Sequence, residues 1–152
     1  MVWLIKCSDS RCAQQTRANN IVDLIRHHLD AKGRFVCLCG KWGYVKKRFK
    51  TQEGNYDWEP ILRGIIPLAK KEDTYQPFVF LVSYETGGEI REIKDVWFSY
   101  YKDLRKSGGR LKLGYGPGGP PVLSKAYFLT LLSRLVQTRY LTPEEVTAAI
   151  GK

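Results

Sequence analysis

Acidic residues are in short supply in this 152-residue chain: 15 Asp and Glu stand against 25 Lys and Arg, for a net charge of +10. No apolar run approaches the roughly 20 residues that a membrane-spanning helix needs. The opening Met1-Val2-Trp3-Leu4-Ile5-Lys6 lacks the basic start and long apolar stretch of a secretory signal, so a soluble, cytoplasmic protein with no membrane partner is expected. There are two histidines, adjacent at His27 and His28, which leaves no credible Ser/His/Asp or Cys/His arrangement. A G-x4-G-K-[ST] phosphate loop is missing, so ATP hydrolysis gets no support. No internal repeat and no clear linker are visible, and the length fits a single domain over 1–152. What is present excludes a disordered chain: 43% of residues are hydrophobic and 12% aromatic.

The positive charge is uneven. Residues 1–50 carry a net +8, residues 51–100 a net −4 and residues 101–152 a net +6. Two basic ends flank an acidic middle, and positive surface attracts polyanions at long range. The partners this suggests are DNA, RNA or an acidic protein.

The four cysteines form two close pairs, Cys7 with Cys12 and Cys37 with Cys39, in a C-x4-C…C-x-C pattern with 24 residues between the pairs. Two turns that each present two thiolates can surround one Zn²⁺ tetrahedrally. Each pair adjoins a strand-like run, residues 2–6 and 34–38, and Gly40 and Gly43 punctuate the second turn. Four ordinary buried thiols are an alternative. Disulfides are another, although nothing signals export and a bridge between Cys37 and Cys39 would be strained. Over residues 4–45 the pattern resembles the two-knuckle site of zinc ribbons. It departs from the usual C-x2-C spacing, once longer and once shorter, and encloses a helix. The resemblance implies a structural four-cysteine zinc with no open position for catalysis.

Between the pairs, Ile21, Leu24, Ile25, His28 and Leu29 form the stripe of one helix face. Asn19 or Asn20 is placed to cap it and Gly33 to end it. His28 reads as a packed histidine, with metal ligation its alternative if one cysteine is not used. Residues 43–50 alternate as a strand that puts Tyr44, Lys46, Arg48 and Lys50 on one side, next to Lys41 and Trp42. This is a phosphate-tracking surface with stacking aromatics, or a strand edge guarded by lysines.

In the middle, residues 61–67, 77–84, 89–94 and 96–101 read as strands of an antiparallel sheet with one covered face. Phe78, Phe80 and Val82 should lie on one side, with Val79, Leu81 and Ser83 on the other. Glu92-Ile93-Lys94 has the E-x-K form of metal-dependent nucleases, but no convincing acidic partner precedes it. Residues 100–121 read as a long glycine-rich connection with five cations and one acid. Its Lys102, Arg105, Lys106, Arg110, Lys112 and Tyr115 are candidate polyanion contacts; a hairpin turning at Ser107-Gly108-Gly109 is the alternative. A C-terminal helical hairpin follows. Ser124 should cap its first helix, which runs to about Tyr140 with an apolar stripe of Phe128, Leu131, Leu132 and Leu135. Thr142, Pro143 and Glu145 should open the second.

The expectation is therefore an α+β protein with a mostly antiparallel β-sheet. Its sub-regions are a zinc-ribbon-like four-cysteine site with an inserted helix (1–50), a sheet (51–102), a Gly/Pro-rich basic loop (103–121) and a helical hairpin (122–152). The leading function is non-catalytic nucleic-acid binding. An adaptor or inhibitor that binds an acidic protein is next, and a nuclease using Glu92 and Lys94 is third.

Overall fold

The computed structural model describes residues 2–46, 60–70, 73–86, 89–90, 92–93, 95–114 and 123–151. Among them lie eight strands: β1 (Trp3–Cys7), β2 (Thr16–Ala18), β3 (Gly43–Lys46), β4 (Pro60–Pro67), β5 (Tyr75–Thr86), β6 (Glu89–Ile90), β7 (Asp95–Asp103) and β8 (Leu111–Gly114). The three helices are α1 (Ile21–His27), α2 (Lys125–Gln137) and α3 (Pro143–Ile150). The strand pairs are all antiparallel and run in the order β2-β1-β3-β4-β5-β7-β8, with β6 beside β5. This is the α+β class expected. No helix among the described residues is long and apolar enough to cross a membrane.

Alternation along β5 sorts the core. Phe78, Phe80 and Val82 join Trp3, Ile5, Val45, Leu62, Ile65 and Tyr101 beneath α1, whose Ile21, Val22, Leu24 and Ile25 are buried. Val79 and Leu81 join Ile66 and Leu68 beneath Leu131 and Leu135 of α2. The side-chain alternation is as read from sequence, but the single covered face is not. Both faces of β5 are covered, because α1 folds back on one and α2 on the other. A run as continuously apolar as Phe78-Val79-Phe80-Leu81-Val82 is the signature of a strand wet on neither side.

A bulge between Leu62 and Gly64 interrupts β4. The extra residue, Arg63, lets Leu62 and Ile65 share a face although they are three positions apart. It also turns the backbone of β4 towards the segment that carries the second cysteine pair. Phe35 N donates to Arg63 O at 3.1 Å and Ile65 N to Gly33 O at 2.8 Å. The chains approach so closely that a Cβ on Gly64 would stand 2.1 Å from Gly33 O, and one on Gly33 2.5 Å from Ile65 O. Gly33, with φ +74°, therefore does not terminate α1, as its sequence position suggested. The helix stops earlier, at His27, with His28 as its cap.

Local signals place the helix starts. Asn20 Oδ1 accepts from Asp23 N at 3.0 Å and Ser124 Oγ from Tyr127 N at 3.2 Å. Thr142 and Glu145 close a capping box, with Oγ1 accepting from Glu145 N at 3.1 Å and Oε2 accepting from Thr142 N at 2.7 Å. α2 ends at Gln137, short of Tyr140. Tyr140 N and Leu141 N turn back onto Leu135 O at 2.9 and 3.1 Å, and Arg139 takes φ +61°. Its core-facing residues are Tyr127, Leu131 and Leu135, while Phe128, expected on the stripe, is exposed, as is Leu129.

The expected long loop is largely a hairpin. β8 folds back on β7 through a 3₁₀ turn at Arg105–Ser107, closed by Gly108 at φ +78°. Its tail, including Tyr115, lies outside the described residues.

Candidate functional site

The two cysteine pairs meet because β1 lies between β2 and β3. Cys7 ends β1 and pairs in register with Gly43, the first residue of β3, while Cys12 sits on the loop from β1 to β2. Cys37 and Cys39 occupy the tip of a tight hairpin whose arms bridge at Val36 and Trp42. Cys37 N donates to Lys41 O and Gly40 N to Cys37 O, both at 2.8 Å, and Gly40 takes φ +83°. Ser8 N donates to Trp42 O at 3.1 Å and holds one loop against the other.

The Cys7 and Cys39 sulfurs are 3.5 Å apart, those of Cys12 and Cys37 3.9 Å, and all four lie within 4.8 Å of one another. These are four free thiols, since a disulfide bond is about 2.05 Å long. A tetrahedron with metal–sulfur bonds of about 2.3 Å has edges of about 3.8 Å, so the set could hold a metal ion. Among the described residues it is the one such cluster of three or more ligating side chains. His28 lies apart from it, half-buried at the end of α1.

Thr16, which sequence reasoning missed, is built into the cluster. Its buried hydroxyl accepts from Leu38 N at 2.8 Å and donates to Cys37 Sγ at 3.5 Å. A lone Thr in a three-residue strand carries no sequence signal of this role. Asp9 N donates to Cys7 Sγ at 3.4 Å. Burial disfavours the Cys37 thiolate, but hydrogen bonds from the Cys39 backbone N–H, the Thr16 hydroxyl and neighbouring thiols outweigh it and bring Cys37 down to about 6. At Cys7 the Asp9 N–H favours the thiolate. Desolvation and the three neighbouring sulfurs prevail and push the thiol up to about 12. Cys12 is likewise raised, against a hydrogen bond from the backbone of Gln14.

Lys41 stands beside this site. Its Nζ bonds Asp9 Oδ2 at 2.6 Å, and that contact with the carboxylate raises its pKa. Trp42 is also half spoken for, with the Arg63 guanidinium 4.3 Å from its ring centroid. Tyr44 is half-buried, and Lys46 is paired with Glu85. Arg48 and Lys50 lie outside the described residues.

On the β7–β8 hairpin, Arg105 grips Asp103 with two bonds of 2.8 Å. Lys102, Lys106, Arg110 and Lys112 are exposed and make no ion pair among the described residues. The two basic segments do not adjoin. β4, β5 and β7 lie between β3 and β8, a separation of roughly 19 Å at about 4.8 Å per strand. In strand order they stand on either side of the central strand β4. Glu92 is exposed in the connection between β6 and β7, not on a strand, and Lys94 lies outside the described residues.

In comparisons with known proteins, the chain matches no family model, no curated protein and no solved structure.

Proposed function

We propose that this chain is a small, basic, non-catalytic nucleic-acid-binding protein whose N-terminal half is held by a structural zinc ion. Cys7, Cys12, Cys37 and Cys39 would ligate the zinc. Sulfur donors suit that metal, four of them leave no open position for a water, and the ion would supply cross-linking between the two loops. The observation that carries the binding reading is the hairpin of β7 and β8. There, Lys102, Lys106, Arg110 and Lys112 project into solvent without carboxylate partners among the described residues, in a protein of net charge +10. Such contacts engage phosphates and carry little sequence information, so binding should depend on strand form more than on sequence.

The test is fluorescence anisotropy with labelled oligonucleotides over a salt series. If these four cations neutralise about four phosphates, log K should fall with log salt at a slope of about −3.6 on duplex and about −2.8 on single strands. A flat salt dependence overturns the reading. A protein partner retained from nuclease-treated lysate, with no binding to oligonucleotides, would replace it with an adaptor for an acidic protein.

A further inference from the structure

Directly paired residues of neighbouring strands share a face. Val96 and Phe98 are paired with Leu81 and Val79, so they lie on the side of the sheet that α2 packs against. α2 buries Leu81 and Val79, while Val96 and Phe98 on β7 stay 37% and 43% exposed. Alternation continues this row through Tyr100 to Lys102, at about 7 Å per step. The Tyr100 ring lies over Gly114, where an added Cβ would stand 1.9 Å from its Cζ. The glycine thus gives the ring a flat seat on β8. Lys102 faces Lys112 directly across the β7–β8 pair, and both are exposed. Like charges so opposed weaken a strand pair, and a bound anion between them removes the conflict. The two acids of the hairpin, Asp95 and Asp103, fall on the α1 side by the same alternation, Asp95 accepting from Tyr84 and Asp103 held by Arg105.

We propose that this face of β7 and β8 is a stacking platform for single-stranded nucleic acid. Bases would lie on Phe98 and Tyr100, and phosphates would bridge Lys102, Lys112 and the adjoining Arg110. The proposal rests on the nucleic-acid reading above and narrows it to unpaired strands. A duplex keeps its base faces stacked and cannot use the two rings. An acidic peptide would satisfy the lysines but has no flat partner to offer Phe98 and Tyr100.

The 152-residue protein, loaded with metal, is tested by fluorescence anisotropy on oligothymidine and oligouridine of about 12 nucleotides, a duplex of the same length, and a poly-glutamate peptide. Metal content and circular dichroism check each variant. Single strands should bind more tightly than duplex. Phe98→Leu keeps an apolar side chain and removes the ring; it should weaken single-strand binding about five-fold or more while leaving duplex binding unchanged. Phe98→Tyr should retain binding. Lys102→Gln together with Lys112→Gln should reduce the single-strand salt slope by about 1.4. If Phe98→Leu binds single strands as tightly as the parent protein, the platform is overturned and general nucleic-acid binding stands. If no oligonucleotide binds, or poly-glutamate competes at equal concentration of charge, both are overturned.

Discussion

Lowering the pH by one unit near neutrality should weaken metal binding at the four cysteines at least a hundred-fold. Only a thiolate is a ligand, so each thiol that is protonated in the metal-free protein must release a proton on loading. Cys37, brought down to about 6, is already mostly thiolate at neutral pH and contributes little. Cys7, pushed up to about 12, and Cys12, raised above its ordinary value of 9.0, are protonated there, so at least two protons leave. The sign follows directly: acid refills the thiols and competes with the metal, so affinity falls as pH falls. Each displaced proton is worth about 1.4 kcal/mol per pH unit, hence about 2.7 kcal/mol for the two. The assay is zinc competition against a chromophoric chelator at a series of pH values between about 6.5 and 7.5, corrected for the chelator's own protonation. The slope of log K against pH should be 2 or more. Thr16→Val removes the hydroxyl that donates to Cys37 Sγ, so it should raise the Cys37 pKa and steepen the slope. A slope of 1 or less would refute the charge distribution derived for the cluster.

Two further outcomes are expected. Gly64→Ala should destabilise the protein by about 1–3 kcal/mol, because its Cβ would collide with Gly33 O and part the two hydrogen bonds that join β4 to residues 33–35. An unfolding free energy from urea titration within about 0.5 kcal/mol of the parent protein's would contradict the close approach. Thr142→Ala removes the capping box of α3, a change worth about 0.5–2 kcal/mol to a helix. Because α3 buries none of its residues, the effect should appear as faster amide exchange within α3, with the unfolding midpoint of the sheet unchanged.

What the sequence made legible is what short-range chemistry determines. The caps at Asn20, Ser124 and Thr142 depend on residues three positions away, and all three are formed as read. The cysteine cluster was legible because two pairs of a rare, reactive side chain have few bland explanations. The misses arose where a distant partner decided the outcome. Gly33 looks like a helix stop until β4 is known to press against it. Thr16 is one polar residue among many until Cys37 and Leu38 arrive beside it. β8 entered only as the alternative hairpin turning at Ser107-Gly108-Gly109, because Leu111-Lys112-Leu113 is a short alternation and only pairing with β7 makes it a strand. The separation of the two basic segments follows from strand order, which no local pattern encodes.

The strand order bears on how the chain finds its fold. From β3 to β8 the main path follows the chain, with β6 set aside on β5, so most of the sheet can zip up by adding each new strand beside the last. The pairing of β1 with β3 breaks that sequence, because Cys7 must find Gly43 across the loop that contains β2 and α1. Closing such a loop costs chain entropy before any packing rewards it. The cysteines sit at the two ends of that loop. A metal ion gripping both pairs in the unfolded chain would close it in advance, and the edge of the sheet that is slowest to assemble would become the one from which assembly starts.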